Sequence, residues 1–198
     1  MFRMDILYLG HSGFKFKGKD SIVVVDPVDI SPTPTDVVIL SDARQGVYSL
    51  SKVSGTPRRT EPYVVKAPGE YEVNGVGIFG WGSDHGENTA YSIIVDGVRI
   101  AHLGNLKEEA NEDLVTGLGT VDVLLVPVGG GVTLGPKEAQ IVIEKLSPSI
   151  VVPMCDTESG IGDFLKMMGI TELAPIERLK VTKDSLPEGM QVVVLSRN

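Results

Sequence analysis

A chain of 198 residues, 42% of them hydrophobic, with a mean hydropathy of +0.12, is long enough to bury one substantial core. No Pro/Ser/Gly-rich linker divides it, so a single domain over residues 1–198 is expected. The net charge of −8 and pI near 4.9 exclude a phosphate-tracking surface, and no nucleic-acid partner is expected.

The first residues, MFRMDILYLGHSGF, are interrupted by Asp5, Gly10 and His11 and lack the apolar centre of a signal peptide. No apolar run approaches the roughly 20 residues that span a bilayer, so no membrane partner is expected. Cys155 is the only cysteine, which rules out an intramolecular disulfide, and a cytoplasmic location is the default expectation.

In chain order, residues 6–9, 14–17 and 22–26 read as three short strands joined by Gly/Ser/Asp turns. After the Pro-rich segment 27–36, Val37, Val38, Ile39 and Leu40 form the continuous apolar run of a strand buried on both faces. Residues 63–66, 70–73, 76–79, 90–95 and 98–102 read as antiparallel strands. Asn74-Gly75 and Asp96-Gly97 supply two-residue hairpin turns among them.

A helix is expected over 107–118, stopped by Gly119, and the apolar strand VDVLLV follows, ending at Pro127 and the Gly129-Gly130-Gly131 turn. Pro136 suits the first position of a helix running to Leu146, and a third apolar strand, residues 150–152, opens into Met154, Cys155 and Asp156. A small helix at GDFLKMMG and a last strand at MQVVVL complete an α/β layered sandwich, with sheets inside and helices outside.

In open α/β sheets, ligands bind beyond the carboxyl ends of strands. The strands TDVVIL, RIAHL, VDVLLV and PSIVV all release polar or glycine residues there. If they are neighbours, Asp42, Arg44, Asn105, the triple glycine and Cys155 share one crevice.

Seven stretches resemble the metallo-β-lactamase superfamily, in particular its branch of ascorbate-6-phosphate lactonase-like hydrolases. They are LGHSGF at 9–14, VVVDP at 23–27, APGEYEV at 67–73, NTAY at 88–91, HLGN at 102–105, VDVLLVPVGGG at 121–131 and VVPM at 151–154. Their order and spacing cover nearly the whole chain, and the resemblance implies a four-layer αβ/βα sandwich with its site at one edge.

The same resemblance implies metal ligands that this chain lacks. Where the family carries Thr-His-x-His-x-Asp-His, this sequence reads Ser41, Asp42, Ala43, Arg44, Gln45, Gly46 and Val47. Asn105 stands where His-Leu-Gly-Asp donates a bridging carboxylate, and Cys155 stands where Pro-Met-His ends in an imidazole. The family's remaining ligand is a histidine before Asn-Thr, and His85 is either that ligand or its neighbour in a shortened loop.

A hydrolytic dinuclear centre needs roughly six protein ligands around its nucleophilic hydroxide, and at most three candidates survive. Asp42, His85 and Cys155 could instead hold one zinc or manganese ion with an open position. Arg44 opposes that reading, because its permanent charge near the metal position repels a divalent cation. The reading placed first is a degenerate homologue with no metal cofactor, impaired or inactive in catalysis. Its small anionic ligand would be held by the candidates Asp42, Arg44, His85, Asn105 and Cys155. The alternative is an active hydrolase of lactones or phosphate esters using a rebuilt single-metal site.

Relatives of this kind form oligomers, so a homo-oligomer is also in view. The remaining polar groups of these motifs are expected to be structural. His11 and His102 are expected to be hydrogen-bonded structural histidines, Asp26 to cap a turn or orient the site loop, Cys155 to fill a small buried space, and Glu70 and Glu72 to be structural.

Overall fold

Alternating or continuous runs of Val, Ile, Leu and Phe make strands the dominant element. The computed structural model describes residues 3–42, 47–155 and 157–198. The first half holds β1 (Met4–Gly10), β2 (Gly13–Lys17), β3 (Ile22–Val25), β4 (Thr33–Pro34), β5 (Val37–Ile39), β6 (Val53–Ser54), β7 (Tyr63–Val65), β8 (Gly69–Val73), β9 (Val76–Ser83), β10 (Asn88–Val95) and β11 (Val98–His102). The second half holds α1 (Glu112–Leu118), β12 (Val123–Pro127), α2 (Pro136–Leu146), β13 (Ile150–Met154), α3 (Glu158–Met167), β14 (Leu179–Val181) and β15 (Gln191–Val192).

Two sheets face each other. One has the order β14-β1-β2-β3-β5-β7 and the other β15-β13-β12-β11-β10-β9-β8. Between them lies the main core, with Phe14, Phe16, Ile39, Ile78, Tyr91, Ile93 and Ile100 fully buried. A second apolar cluster joins the outer face of the seven-stranded sheet to α1, α2 and α3 through Leu118, Val142, Ile143 and Phe164. The outer face of the six-stranded sheet carries the Pro-rich segment and the small β4–β6 sheet, held by Leu9, Val24, Ile30 and Val53. The fold is the expected α/β sandwich.

Three local expectations change. Tyr63–Val65 does not join the antiparallel meander: β7 pairs parallel with β5 in the other sheet, leaving β8 to β11 as the meander. The helix expected from 107 begins only at Glu112, because the Asn111 side chain accepts the Leu114 N–H at 2.9 Å and caps it there. The Asp84 carboxylate takes the backbone N–H groups of Lys107 and Glu108 instead. β9 runs four residues past Phe79 through Gly80 and Gly82. A Cβ at Gly80 would lie 2.7 Å from the Tyr91 ring, so that glycine makes room for the aromatic.

β11, β12 and β13 are parallel neighbours, which brings their carboxyl ends side by side at one edge of the sandwich. The end of β5 reaches the same edge from the opposite sheet, where Asp42 forms an isolated bridge with Asn88. No helix among the described residues is long and apolar enough to cross a membrane.

Candidate functional site

The cleft is built on buried polar anchors. Asp26, fully buried at φ 44°, accepts both the backbone N–H and the hydroxyl of Ser41, which fixes the chain where β5 ends. This is the loop-orienting role expected of it. His102 is fully buried: its Nδ1 accepts the Gly104 N–H at 3.1 Å, and its Nε2 lies 2.7 Å from the Ser12 carbonyl. Those partners place a proton on Nε2, and His102 ties two loops together.

Asn88 joins the two sheets at the cleft. Its amide nitrogen donates to Ser83 Oγ at 2.8 Å and to the Leu103 carbonyl at 3.0 Å, and its Oδ1 accepts the Asn105 N–H at 2.9 Å. Gly104 passes so close at φ 60° that a Cβ there would run into Asn88 Oδ1 and Ser41. Tyr48 supports the other wall, its phenol oxygen accepting the Asp42 N–H at 2.7 Å. Burial, and secondarily the nearby Asp26 carboxylate, push the Tyr48 phenol far above its ordinary range and keep it neutral. The motif NTAY locates Asn88 but does not reveal its role, and the sequence does not reveal that of Tyr48. Their partners are main-chain groups and side chains of other loops, which no local pattern encodes.

Two adjoining cavities open between these anchors. The larger, about 480 Å³, is lined by His11, Ser12, Val47, Tyr48, Asn105, Gly129, Gly130, Thr133, Met154 and Cys155 among others. The smaller, about 410 Å³, is lined by Asp42, Glu87, Asn88, Asn105, Lys107, Gly131 and Val132. Asn105 and Val132 border both, which makes them one cleft in two chambers. None of the described residues lining the larger chamber is Asp, Glu, Lys or Arg. In the smaller, Lys107 Nζ pairs with Glu87 at 2.6 Å.

Asn105, the triple glycine and Cys155 therefore meet as expected, and Asp42 stands in the adjoining chamber. Cys155 is half-buried and lines the cleft, so it does not fill a sealed space; the Thr157 N–H approaches its Sγ at 3.5 Å. His85 is not brought in: it is exposed, at φ 57° in the single turn Asp84–Gly86, and lines neither chamber. Arg44 lies outside the described residues.

Among the described residues, no group of three or more His, Cys, Asp or Glu side chains is assembled to hold a metal, and Asp42, His85 and Cys155 form no such group. The donor chemistry does not fit a dinuclear centre. Gly46 and Val47 carry no donor atoms in their side chains, Asn105 is neutral, and Arg44 is a cation. Val47 lines the larger chamber with a hydrocarbon surface.

A two-sheet sandwich with its cleft at the strand ends, built over Asp26, His102 and the HLGN loop, defines a hydrolase-like fold of the metallo-β-lactamase type. The chain belongs to the beta-lactamase superfamily, whose domain it matches over residues 5–155. It is 43% identical over 70 residues to a UPF0173 metal-dependent hydrolase of Thermococcus onnurineus, a match covering 35% of this chain and 31% of that one. A metal-dependent hydrolase of the same group from Methanoculleus marisnigri is 28% identical over 179 residues, covering 76% of this chain and 80% of that one. A crystal structure from Thermotoga maritima, of a protein proposed to be a Zn-dependent hydrolase of the metallo-beta-lactamase superfamily, is 32% identical. It superposes with a TM-score of 0.82, covering 97% of this chain and 98% of that one.

Proposed function

We propose that this chain is a metallo-β-lactamase-fold protein that has lost the dinuclear centre of a hydrolase and uses its cleft to bind a small molecule without metal-dependent turnover. The observation that carries this reading is the lining of the larger chamber. Val47, Asn105 and Cys155 occupy positions where the family resemblance calls for metal ligands, and they offer a hydrocarbon, a neutral amide and a thiol.

Binding remains well supported by the architecture. The chambers are held open by buried, hydrogen-bonded anchors, and they present amide, hydroxyl and backbone groups around an apolar floor, the usual composition of a small-molecule site. A small anion is the ligand class this reading favours. Arg44 stands where a metal-binding histidine would be, and a guanidinium can hold a carboxylate or phosphate bidentately.

The test pairs binding with turnover. Thermal-shift titration with inorganic phosphate and small carboxylates is expected to raise the unfolding temperature of the wild type and to do so less in Arg44→Ala. Lactone and phosphodiester substrates supplied with Zn²⁺ or Mn²⁺ are expected to give no turnover above background. Metal-dependent turnover lost in Asp42→Ala or Cys155→Ala would establish a rebuilt single-metal hydrolase and overturn the reading.

A further inference from the structure

The two sheets have four edge strands, β14 and β7 in one and β15 and β8 in the other, and of these β8 and β14 carry opposite charge on their outer faces. β8 closes the seven-stranded sheet and β14 the six-stranded one. In β8, Val73 belongs to the core between the sheets and Tyr71 packs against it, whereas Glu70 and Glu72 lie on the outer face, exposed. In β14, Leu179 and Val181 belong to that same core, and Lys180 lies on the outer face with the preceding Arg178, both exposed.

The register of the β8–β9 hairpin identifies the free backbone groups. Asn74 and Gly75, at φ 53° and 77°, form the two-residue turn, so Val73 and Val76 close the ladder as a hydrogen-bonded pair and Tyr71 with Ile78 is the next. Glu70 and Glu72 therefore direct their N–H and C=O groups away from β9. A cavity of about 370 Å³ runs along this edge, lined by residues 70–74 on one side and by Arg59 and Tyr63 on the other. Tyr63 and Val64 of β7 are exposed beside it, and Arg59 Nε is buried without an acceptor among the described residues.

We propose that β8 of one copy pairs edge to edge with β14 of a second copy, joining the seven-stranded sheet of one to the six-stranded sheet of the next. Charge selects this pairing. Two β8 edges related by a two-fold axis through Tyr71 would set Glu70 against Glu72 of the partner subunit, and like charges directly opposite are unfavourable. The unlike edges set Glu70 and Glu72 against basic residues, while Tyr71 and Val73 continue the apolar face formed by Leu179 and Val181. Because the contact is heterologous, repetition closes a ring or grows an open chain. Glu72 also accepts the Gly75 N–H at 2.9 Å, and Arg178 lies 3.6 Å from Asp5, so both are held in place on their edges.

Sedimentation velocity of the full chain across a concentration series tests the proposal, with wild type, Glu70→Lys/Glu72→Lys, Arg178→Glu/Lys180→Glu, and an equimolar mixture of the two variants. The wild type is expected to self-associate and to dissociate in high salt. Each variant alone, with two like-charged edges, is expected to stay monomeric where the wild type is assembled. The mixture is expected to reassemble, because the basic β8 of the first variant meets the acidic β14 of the second while the native β14 of the first meets the native β8 of the second, and that recovery also shows both variants to be folded. A wild type that stays monomeric, variants that associate as the wild type does, or a mixture that fails to recover would each overturn the proposal.

Discussion

At the scale of single residues, the site depends on polar groups with no room for error. Removing the Asn88 side chain strands the Leu103 carbonyl and the Asn105 N–H inside the cleft wall. With unmet buried groups costing about 1–3 kcal/mol each, Asn88→Ala is expected to lower stability by about 3 kcal/mol, read from the denaturant midpoint at unchanged slope. Tyr91 adds a pH effect. Its phenol donates to the Leu40 carbonyl at 3.1 Å, and burial pushes its ionisation well above the ordinary range, as it does for Tyr48. Since the folded-state values are raised, this stability is complete below pH 10, the ordinary tyrosine value, and is lost as pH rises beyond it. Each group is expected to contribute about 1.4 kcal/mol of loss per pH unit above 10. Tyr91→Phe is expected to flatten that fall in a series of melts between pH 9 and 11; an unchanged slope would contradict it. Asp26 and His102 were legible in the sequence because each sits in a recurring motif. Asn88 and Tyr48 were not, because their work is done on main-chain atoms that only the folded chain brings to them.

At the scale of elements, the departures from expectation come from side chains that override local pattern. The acidic stretch before Leu118 reads as helix from 107, yet Asn111 caps it at Glu112, and the Asp84 turn claims the residues before it. The glycines of IFGWGS, residues 78–83, read as the end of a strand, yet Gly80 leaves space for Tyr91, and β9 continues. β7 looks like its meander neighbours in composition. Its parallel pairing with β5 is a long-range fact that short-range turn signals do not carry. Gly117 of α1 shows the same trade. Alanine is the better helix former by about 1 kcal/mol, but a Cβ there would press into the Trp81 indole. Gly117→Ala is therefore expected to lower the melting temperature and to shift the emission of Trp81, the chain's one tryptophan, to the red. A raised melting temperature with unchanged emission would show that the indole yields without cost.

At the scale of the whole molecule, the scaffold and the site differ in how far the sequence reveals them. The sandwich, the meander and the parallel β11–β12–β13 edge were legible because they rest on apolar runs, hairpin turns and motifs spread over most of the chain. The site was legible only as a location. Its residues depart from the ligand pattern that the family resemblance implies, and the cleft is shaped by contacts between loops. The proposed loss of the metal centre is tested most directly by metal content. The full chain, purified without chelator, is incubated with Zn²⁺ or Mn²⁺, desalted, and analysed by plasma mass spectrometry alongside thermal melts. Retention well below one ion per chain, with an unfolding temperature indifferent to either metal, is the expected result. One or two ions held per chain, with a raised unfolding temperature that Asp42→Ala or Cys155→Ala abolishes, would contradict it.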